Sequence, residues 1–451
     1  MKSGLLIPAC LSMVLLTALP LGSQVDNAGA QPAGADTTAT DNRMLTPPTV
    51  SGESYPVAGI ESERSNYLRY GLTFSAAYSD NVLGGISTNP VSDISYSVWP
   101  TIALDETTPR LHSVLTYSPG FTYYQRTSAR NEADQNAALN IQYRLSQHVT
   151  VSGQDSFQKS SNLFNQPDLA LSTPVSGSAQ APTVAVVAPL ADRLSNTGNV
   201  GITYQFGSNS MAGANGTSTY LHYPNPAEVP GLYDSSSVGG SAFYNHRLSK
   251  KHYLGVKYQY SRVLAYPVGA QSEVQTHTVF GFYTIYFKPT LSLSLSGGPQ
   301  HSEATQTPMP VSRSWSPAAT ASLGWQGQHT SFAASYSRIV NGGGGLVGAF
   351  HSNSANGLAS WQLSRKWNVG ASANYRIYKT MTPFFLLSTP GGHTVSGTAS
   401  VERLISEHLS VQAGYTRLHQ SYNGIALVST FPDANREFIS ISYQFARPLG
   451  R

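Results

Sequence analysis

The sequence predicts an all-β fold, an antiparallel transmembrane β-barrel of about eighteen strands. The hairpin from Thr394 to Thr416, TVSGTASVERLISEHLSVQAGYT, shows the underlying pattern, in which apolar residues and glycine alternate with polar ones on both sides of a short turn. Alternation with a period of two gives a strand one apolar and one polar face. Variants of the turn recur as RLSQH at Arg144, RLSKKH at Arg247 and LSRKW at Leu363, so the chain repeats a hairpin unit.

Composition indicates which solvent each face meets. Charged residues make up 11% of the chain, whereas a soluble globular domain carries roughly 25%. One face of each alternating run is Ser, Thr, Asn, Gln and Gly, and the other carries Tyr, Trp, Phe, Val and Leu. This arrangement favours a barrel with its apolar face towards lipid and its polar face lining water, over the alternative of a soluble β-solenoid or sandwich array.

The N-terminal region is predicted to direct export. Residues 1–30 contain Lys2, a proline-broken apolar run and a small-residue cleavage site, which together are typical of a signal peptide. Cys10 is the only cysteine, so the mature chain would have no thiol. Residues 31–66 are rich in Pro, Ala, Thr and Ser and predict a disordered periplasmic linker, too short for a folded plug. Export with lipid-facing strands predicts the outer membrane of a Gram-negative-type bacterium.

The barrel is expected over residues 67–446, and its connections support the strand count. Short polar connections are predicted near residues 107, 146, 208, 250, 289, 328, 365 and 406, and long ones near residues 87, 130, 176, 229, 270, 308, 346, 386 and 429. Outer-membrane barrels have short periplasmic turns and long external loops. Eight short and nine long connections give eighteen strands with both ends of the barrel on the periplasmic side.

The last predicted strand, REFISISYQF, ends in alternating outward residues, Ile441, Tyr443 and Phe445. This ending resembles the assembly signal of outer-membrane barrels, which implies the barrel-assembly machinery as a partner. Residues 447–451 are expected to form a C-terminal extension.

Three motifs carry a resemblance to a known family. They are YSDN at the end of the first strand, VWPTIAL in the second and LTYSPGFTYYQ in the third. The chain resembles β-barrel porins, including those associated with bacterial exopolysaccharide loci, by motif in these strands and by architecture elsewhere. Pro100 and Pro119 fit that pattern, but proline in a central strand removes a ladder hydrogen bond, so we expect a bulge at each.

Asp155 violates the alternation. Counted from Val149 and Val151, it falls on the lipid-facing side of the fifth strand, where a carboxylate is destabilising. We therefore expect either a bulge near Gly153 that turns Asp155 inward, or a face that contacts protein.

The remaining motifs indicate no catalytic or cofactor chemistry. The run NGGGG at Asn341 lacks the Gly-Lys-Ser/Thr of a phosphate loop, and the histidines lack metal-ligand spacing. We therefore expect no enzymatic activity, no cofactor and no metal. We also expect no nucleic-acid partner, since the net charge of +4 is spread over 451 residues. Outer-membrane lipid is expected to surround the barrel. The sequence leaves open whether the chain forms a homo-oligomer.

Six charged residues are candidates for the lining of the lumen: Arg144, Arg247, Lys257, Lys288, Arg376 and Glu402. They could merely solvate the mouth of the barrel, or form a mildly basic constriction that favours anionic or polar uncharged solutes.

We expect a passive, water-filled channel for small polar solutes. The alternatives are a barrel component of exopolysaccharide export, which predicts lumen aromatics such as Trp99, Tyr124, Phe280, Phe282 and Tyr286, and a structural or adhesive surface barrel. The long loop from about Asn162 to Asp192 could be a mobile surface loop, or its apolar segment, Val184 to Leu190, could fold into the barrel mouth and narrow the channel.

The topology can be tested by labelling intact cells with a membrane-impermeant maleimide. Ser146→Cys, Lys250→Cys and Glu407→Cys variants should stay unlabelled because these turns face the periplasm, whereas Gly344→Cys and Pro390→Cys variants should react. Labelling after cell lysis is the control for reactivity. Reaction at Ser146 together with protection at Gly344 would reverse the assigned orientation.

Overall fold

A computed structural model of the chain describes residues 65–82, 90–128, 131–160, 192–207, 209–229, 231–267, 271–306, 310–342, 346–381, 391–423 and 433–448. The expected signal peptide lies outside the described residues, as do all but the last two residues of the expected linker and the apolar segment Val184 to Leu190.

The described chain forms eighteen β-strands and one short 3₁₀ turn, Pro226–Glu228. The strands are β1 Ser65–Ser79, β2 Asp93–Thr107, β3 Leu111–Tyr124, β4 Glu132–Arg144, β5 Val149–Ser160, β6 Arg193–Gln205, β7 Ser210–His222, β8 Ser235–Arg247, β9 His252–Ala265, β10 Ser272–Lys288, β11 Leu291–Gln306, β12 Ser312–Gln326, β13 Thr330–Gly342, β14 Ala349–Ser364, β15 Trp367–Thr380, β16 Gly391–Leu404, β17 Leu409–Asn423 and β18 Ala434–Pro448.

Each strand pairs antiparallel with the next, and β1 pairs with both β2 and β18, so the sheet closes into a barrel. The predicted fold class and strand number are confirmed. The barrel extends slightly beyond residues 67–446, because β1 begins at Ser65 and the register pairs Tyr67 with Pro448. Arg447 and Pro448 therefore belong to β18 rather than to a separate extension. Among the described residues, no helix is long and apolar enough to cross a bilayer.

Closure at the end with long connections is fixed by Asp80. Its carboxylate accepts hydrogen bonds from the backbone N–H of Asn435, at 2.7 Å, and from the Asn435 side-chain amide, at 2.6 Å. The Asp80 N–H in turn donates to the Asn435 carbonyl at 3.2 Å. The first and last strands are therefore joined by a side chain where their ladder ends.

The two faces of the wall differ as the alternation predicts. Large apolar and tyrosine side chains such as Phe74 and Ile439 are exposed on the outer face. Hydroxyl groups meet in cross-strand pairs on the inner face, including Ser97 with Thr122 at 3.0 Å and Thr284 with Ser294 at 2.8 Å. These pairs satisfy polar side chains within the wall.

Several inner-face aromatic rings lie flat over a glycine directly opposite on the next strand. The pairs are Trp99 over Gly120, Phe243 over Gly213, Phe282 over Gly255, Tyr422 over Gly392 and Phe438 over Gly414. A methyl group on Gly255 would lie 2.2 Å from Cζ of Phe282 and 2.5 Å from the Tyr244 carbonyl oxygen. The missing side chain thus provides the space in which the aromatic ring packs.

The bulges expected at Pro100 and Pro119 are absent, because the β2–β3 ladder keeps one register on both sides of them. Gln125 N donates to Ile94 O, and hydrogen-bonded pairs alternate along an antiparallel ladder. Counting from that bond shows that Pro100 and Pro119 are opposite each other, at a position where other residues would exchange two backbone hydrogen bonds. Both missing N–H groups therefore fall at one position, and Ser118 Oγ donates to the Pro100 carbonyl at 3.2 Å.

Of the two alternatives for Asp155, the bulge near Gly153 is absent, and contact of this face with protein stays a prediction. Strand β5 keeps one register with β4 and β6, which leaves Asp155 exposed on the outer face. The Asn196 side-chain amide on β6 donates to both carboxylate oxygens, at 3.1 and 3.3 Å. A polar partner on the same face thus replaces the inward turn that the sequence suggested.

The glycine positions can be tested with a matched pair of variants. Gly255→Ala should destabilise the barrel by about 1–3 kcal/mol, because overpacking displaces Phe282 or the backbone. Gly216→Ala should leave stability nearly unchanged, since nothing lies within 4 Å of the added methyl group. Urea unfolding in lipid vesicles measures the difference, and equal stability of the two variants would contradict the packing described above.

Candidate functional site

The wall of the barrel is split between β12 and β13 towards the end with long connections. These strands pair only from Gln326 with Ser331 to Ala319 with Arg338. Beyond that point β12 stays paired with β11, whereas β13 stays paired with β14. We call the two unpaired segments, Ser312–Ala318 of β12 and 339–342 of β13, the seam.

Pro317 accounts for the end of the ladder. Gly327 N donates to Thr330 O, and along an antiparallel ladder every second pair of residues is hydrogen-bonded. By this count Ala319 and Arg338 are the last such pair. The next would be Pro317 with Val340. Pro317 has no N–H to donate to the Val340 carbonyl. The hydrogen bond that would continue the ladder cannot form.

Gln300 of β11 supplies what Pro317 lacks. Its side-chain nitrogen donates to the Val340 carbonyl at 2.9 Å, and its side-chain oxygen accepts from the Val340 N–H at 2.7 Å. The Gln300 side chain is 2% exposed and points inward. Because Val340 bonds to an inward-pointing side chain two strands away, the upper part of β13 lies inside the wall.

The hairpin that joins β13 to β14 follows Val340 into the barrel. Val340 packs with Val274 of β10 and Ala304 of β11, whose side chains are on the inner face, and with Ala349 and Met381. Leu346, Val347 and Phe350 are also buried. We call the described residues 339–342 and 346–350 the inserted hairpin. It forms a second layer against β10 and β11 and narrows the lumen.

The six charged residues proposed from the sequence are dispersed. By register, Arg144, Arg247, Lys257, Arg376 and Glu402 lie on the inner face. Lys288 differs, since a register shift after Tyr286 sets it opposite Leu291 of the outer face. Arg144, Arg247 and Glu402 lie near the short turns, Lys257 lies at mid-strand and Arg376 lies near the opposite end. They do not form one ring.

Register also places charges on the inner face that sequence reasoning missed, and counting parity along every strand could have found them. The basic ones are Arg69, Arg193 and Arg436, and the acidic ones are Asp93, Asp105, Glu132 and Asp134. The four acids lie on β2 and β4. Asp93 anchors a connection, because it accepts hydrogen bonds from Arg126 N and from the backbone and hydroxyl of Thr127. With the residues above, basic groups outnumber acidic ones on this face.

The predicted assembly signal lies on the outer face of β18. Ile441, Tyr443 and Phe445 are exposed and pair with Phe74, Leu72 and Tyr70 of β1. Their recognition by assembly machinery stays a prediction. Within the described ranges, His, Cys, Asp and Glu form no cluster of three that could hold a metal ion.

The side chains on the outer face indicate that the barrel is surrounded by lipid. Exposed apolar and aromatic side chains occur on every described strand except β5, whereas the inner face is rich in hydroxyl and amide groups. A closed barrel leaves no strand edge unpaired around most of its circumference, which is what a hydrocarbon environment requires. The chain is a membrane-spanning β-barrel. Its short turns and long loops alternate as in barrels of the bacterial outer membrane, where it is located.

No protein-family model matches the chain, and no curated protein matches its sequence. Solved structures with a similar shape include OccAB4 of Acinetobacter baumannii, at 9% identity and a TM-score of 0.40, over 84% of this chain and 98% of that one. OpdQ of Pseudomonas aeruginosa matches at 9% identity and 0.41, over 84% and 98%. The ferric citrate transporter FecA, in its unliganded form, matches at 9% and 0.42, over 83% and 78%.

The role of Gln300 can be tested by single-channel recording. Gln300→Ala should free the inserted hairpin, because Val340 loses both hydrogen-bond partners, and conductance should rise about twofold or more with added flicker. Gln412→Ala, which removes a lumen amide on β17 far from the seam, should conduct like the unmodified protein. Restoring low conductance by cross-linking Cys at Ala304 to Cys at Val340 in the Gln300→Ala background would show that the hairpin is the cause. Unchanged conductance in a folded Gln300→Ala variant would contradict it.

Proposed function

We propose that the barrel is a passive channel for small polar solutes, narrowed on its external side by the inserted hairpin. The supporting observation is the layer that Val340 and Gln300 form inside a closed wall whose inner face is polar. Solutes would move down their gradient, and the hairpin would limit their size.

The excess of basic groups on the inner face favours anionic or uncharged polar solutes over cations. Lys257 is the clearest member, because it lies at mid-strand, is partly exposed and faces the lumen between Phe243 and Phe280 on the neighbouring strands. Charges along a narrow aqueous path act strongly on permeating ions.

Exopolysaccharide export, the second candidate, is less well supported. Saccharide passage would use exposed aromatic faces on the lumen wall. Phe280 and Phe282 are instead buried, and the rings of Trp99 and Phe282 lie flat over glycines of the next strand. These rings serve packing, and they leave little aromatic surface for a sugar chain.

Reversal potentials across planar bilayers in a potassium chloride gradient test the proposal. The unmodified protein should conduct and favour chloride. Lys257→Gln should move the chloride-to-potassium permeability ratio towards one, whereas Lys288→Gln, which removes an equal charge from the outer face, should leave it unchanged. A folded barrel without conductance would favour a structural role, and equal effects of the two variants would exclude the lumen as the selective element.

A further inference from the structure

Near the external end of the described strands, ion pairing of the outer-face arginines and lysines follows a rule with one exception. Near the external end, basic side chains are paired with acids, as in Arg262 with Glu273 at 2.7 Å and Lys159 with Asp192 at 3.2 Å. The other such pairs are Arg313 with Glu303, Arg417 and His419 with Asp433, and His222 with Asp234. Arg338 and Lys379 are the exception, since neither has an acidic partner among the described residues, and His351 lies between them.

These three residues lie together beside the seam. Arg338 is the last residue of β13 that pairs with β12. His351 of β14 is directly opposite Lys379 of β15. Arg338 and Lys379 belong to the outer face by register. His351 pairs with Val340 at the edge of the inserted hairpin and lies within electrostatic range of both charges. Three basic groups are therefore held close together at the external end of a membrane-spanning wall.

The strands around them supply no acid. Between Glu303 and Glu402 the chain contains no Asp or Glu, and this stretch includes all of β12 to β15 with the connections between them. Like charges without a counter-charge repel one another, so an anion from outside the chain would stabilise the arrangement.

The surroundings favour a lipid as the source of that anion. Trp315, which is 71% exposed, flanks the seam on β12, and the exposed Tyr336 lies on the other side. Aromatic side chains of this kind are enriched at the membrane interface. Arg and Lys on such a surface are suited to charge-assisted hydrogen bonds with phosphate oxygens.

We propose that Arg338, His351 and Lys379 bind the phosphate group of an outer-leaflet lipid at the external end of the seam. The bound lipid neutralises the charges of Arg338 and Lys379 and covers the outer side of the gap that Pro317 leaves between β12 and β13. This site is separate from the lumen and does not depend on what the channel transports.

Native mass spectrometry of the full-length protein in neutral detergent tests the proposal, with diphosphorylated lipid A as the probe. The unmodified protein should bind it, and the Arg338→Gln, Lys379→Gln double variant should bind at least about tenfold more weakly. The control double variant Arg262→Gln, Glu273→Gln removes a paired cation with its acid at a similar height, and should bind like the unmodified protein. Heat-dependent electrophoretic migration verifies that each barrel is folded.

Two further arms make the outcome decisive. Lipid A with both phosphates removed should not bind, and binding of the intact lipid to the unmodified protein should weaken as ionic strength rises. If the double variant does not fold, the salt dependence and the dephosphorylated lipid still test the proposal. Equal binding of the two lipids, or binding by a folded double variant at the level of the unmodified protein, would overturn it.

Discussion

The structure depends on one requirement, that every backbone hydrogen-bonding group within the hydrocarbon layer finds a partner in the protein. The β1–β18 pairing and the sequential pairings other than β12–β13 meet it with strand ladders, and the seam is where the β12–β13 ladder stops. There the Gln300 side chain takes the place of the Pro317 backbone, as donor and as acceptor for Val340. Because that side chain points inward, satisfying Val340 requires the hairpin to lie within the barrel. A single missing N–H thus produces the constriction.

Proline has opposite consequences at two places in this wall. Pro100 and Pro119 face each other in one hydrogen-bonded pair, so the ladder loses both bonds at a single position and resumes in register. Pro317 faces Val340, which keeps its N–H and carbonyl, so an unmatched partner remains. The cost of a strand proline is therefore set by the residue opposite it, which the local sequence does not show.

This difference explains what could be predicted from the sequence. Strand number, order and facing follow from period-two alternation and from the spacing of short and long connections, both of which are local. The bulges expected at Pro100, Pro119 and Gly153 failed because they depended on the neighbouring strand, where Ser118 and Asn196 provide the compensating hydrogen bonds. The inserted hairpin was missed for the same reason. Parity placed five of six candidate lumen charges on the inner face, and it failed at Lys288 because a register shift at a strand end is not visible in the alternation.

The distribution of acids connects the seam with the lumen. Strands nine positions apart lie across an eighteen-stranded ring from one another, so β4 faces β13 and β2 faces β11. Four of the inner-face acids, including Asp105 and Asp134, lie on β2 and β4, whereas β12 to β15 contain no acid at all. Glu132 and Asp134 lie within electrostatic range of Arg436, whereas the strands across the ring from β4 carry no acid. The same lack of acids leaves Arg338 and Lys379 unneutralised on the outer face, so one compositional feature of these strands shapes both surfaces of the wall.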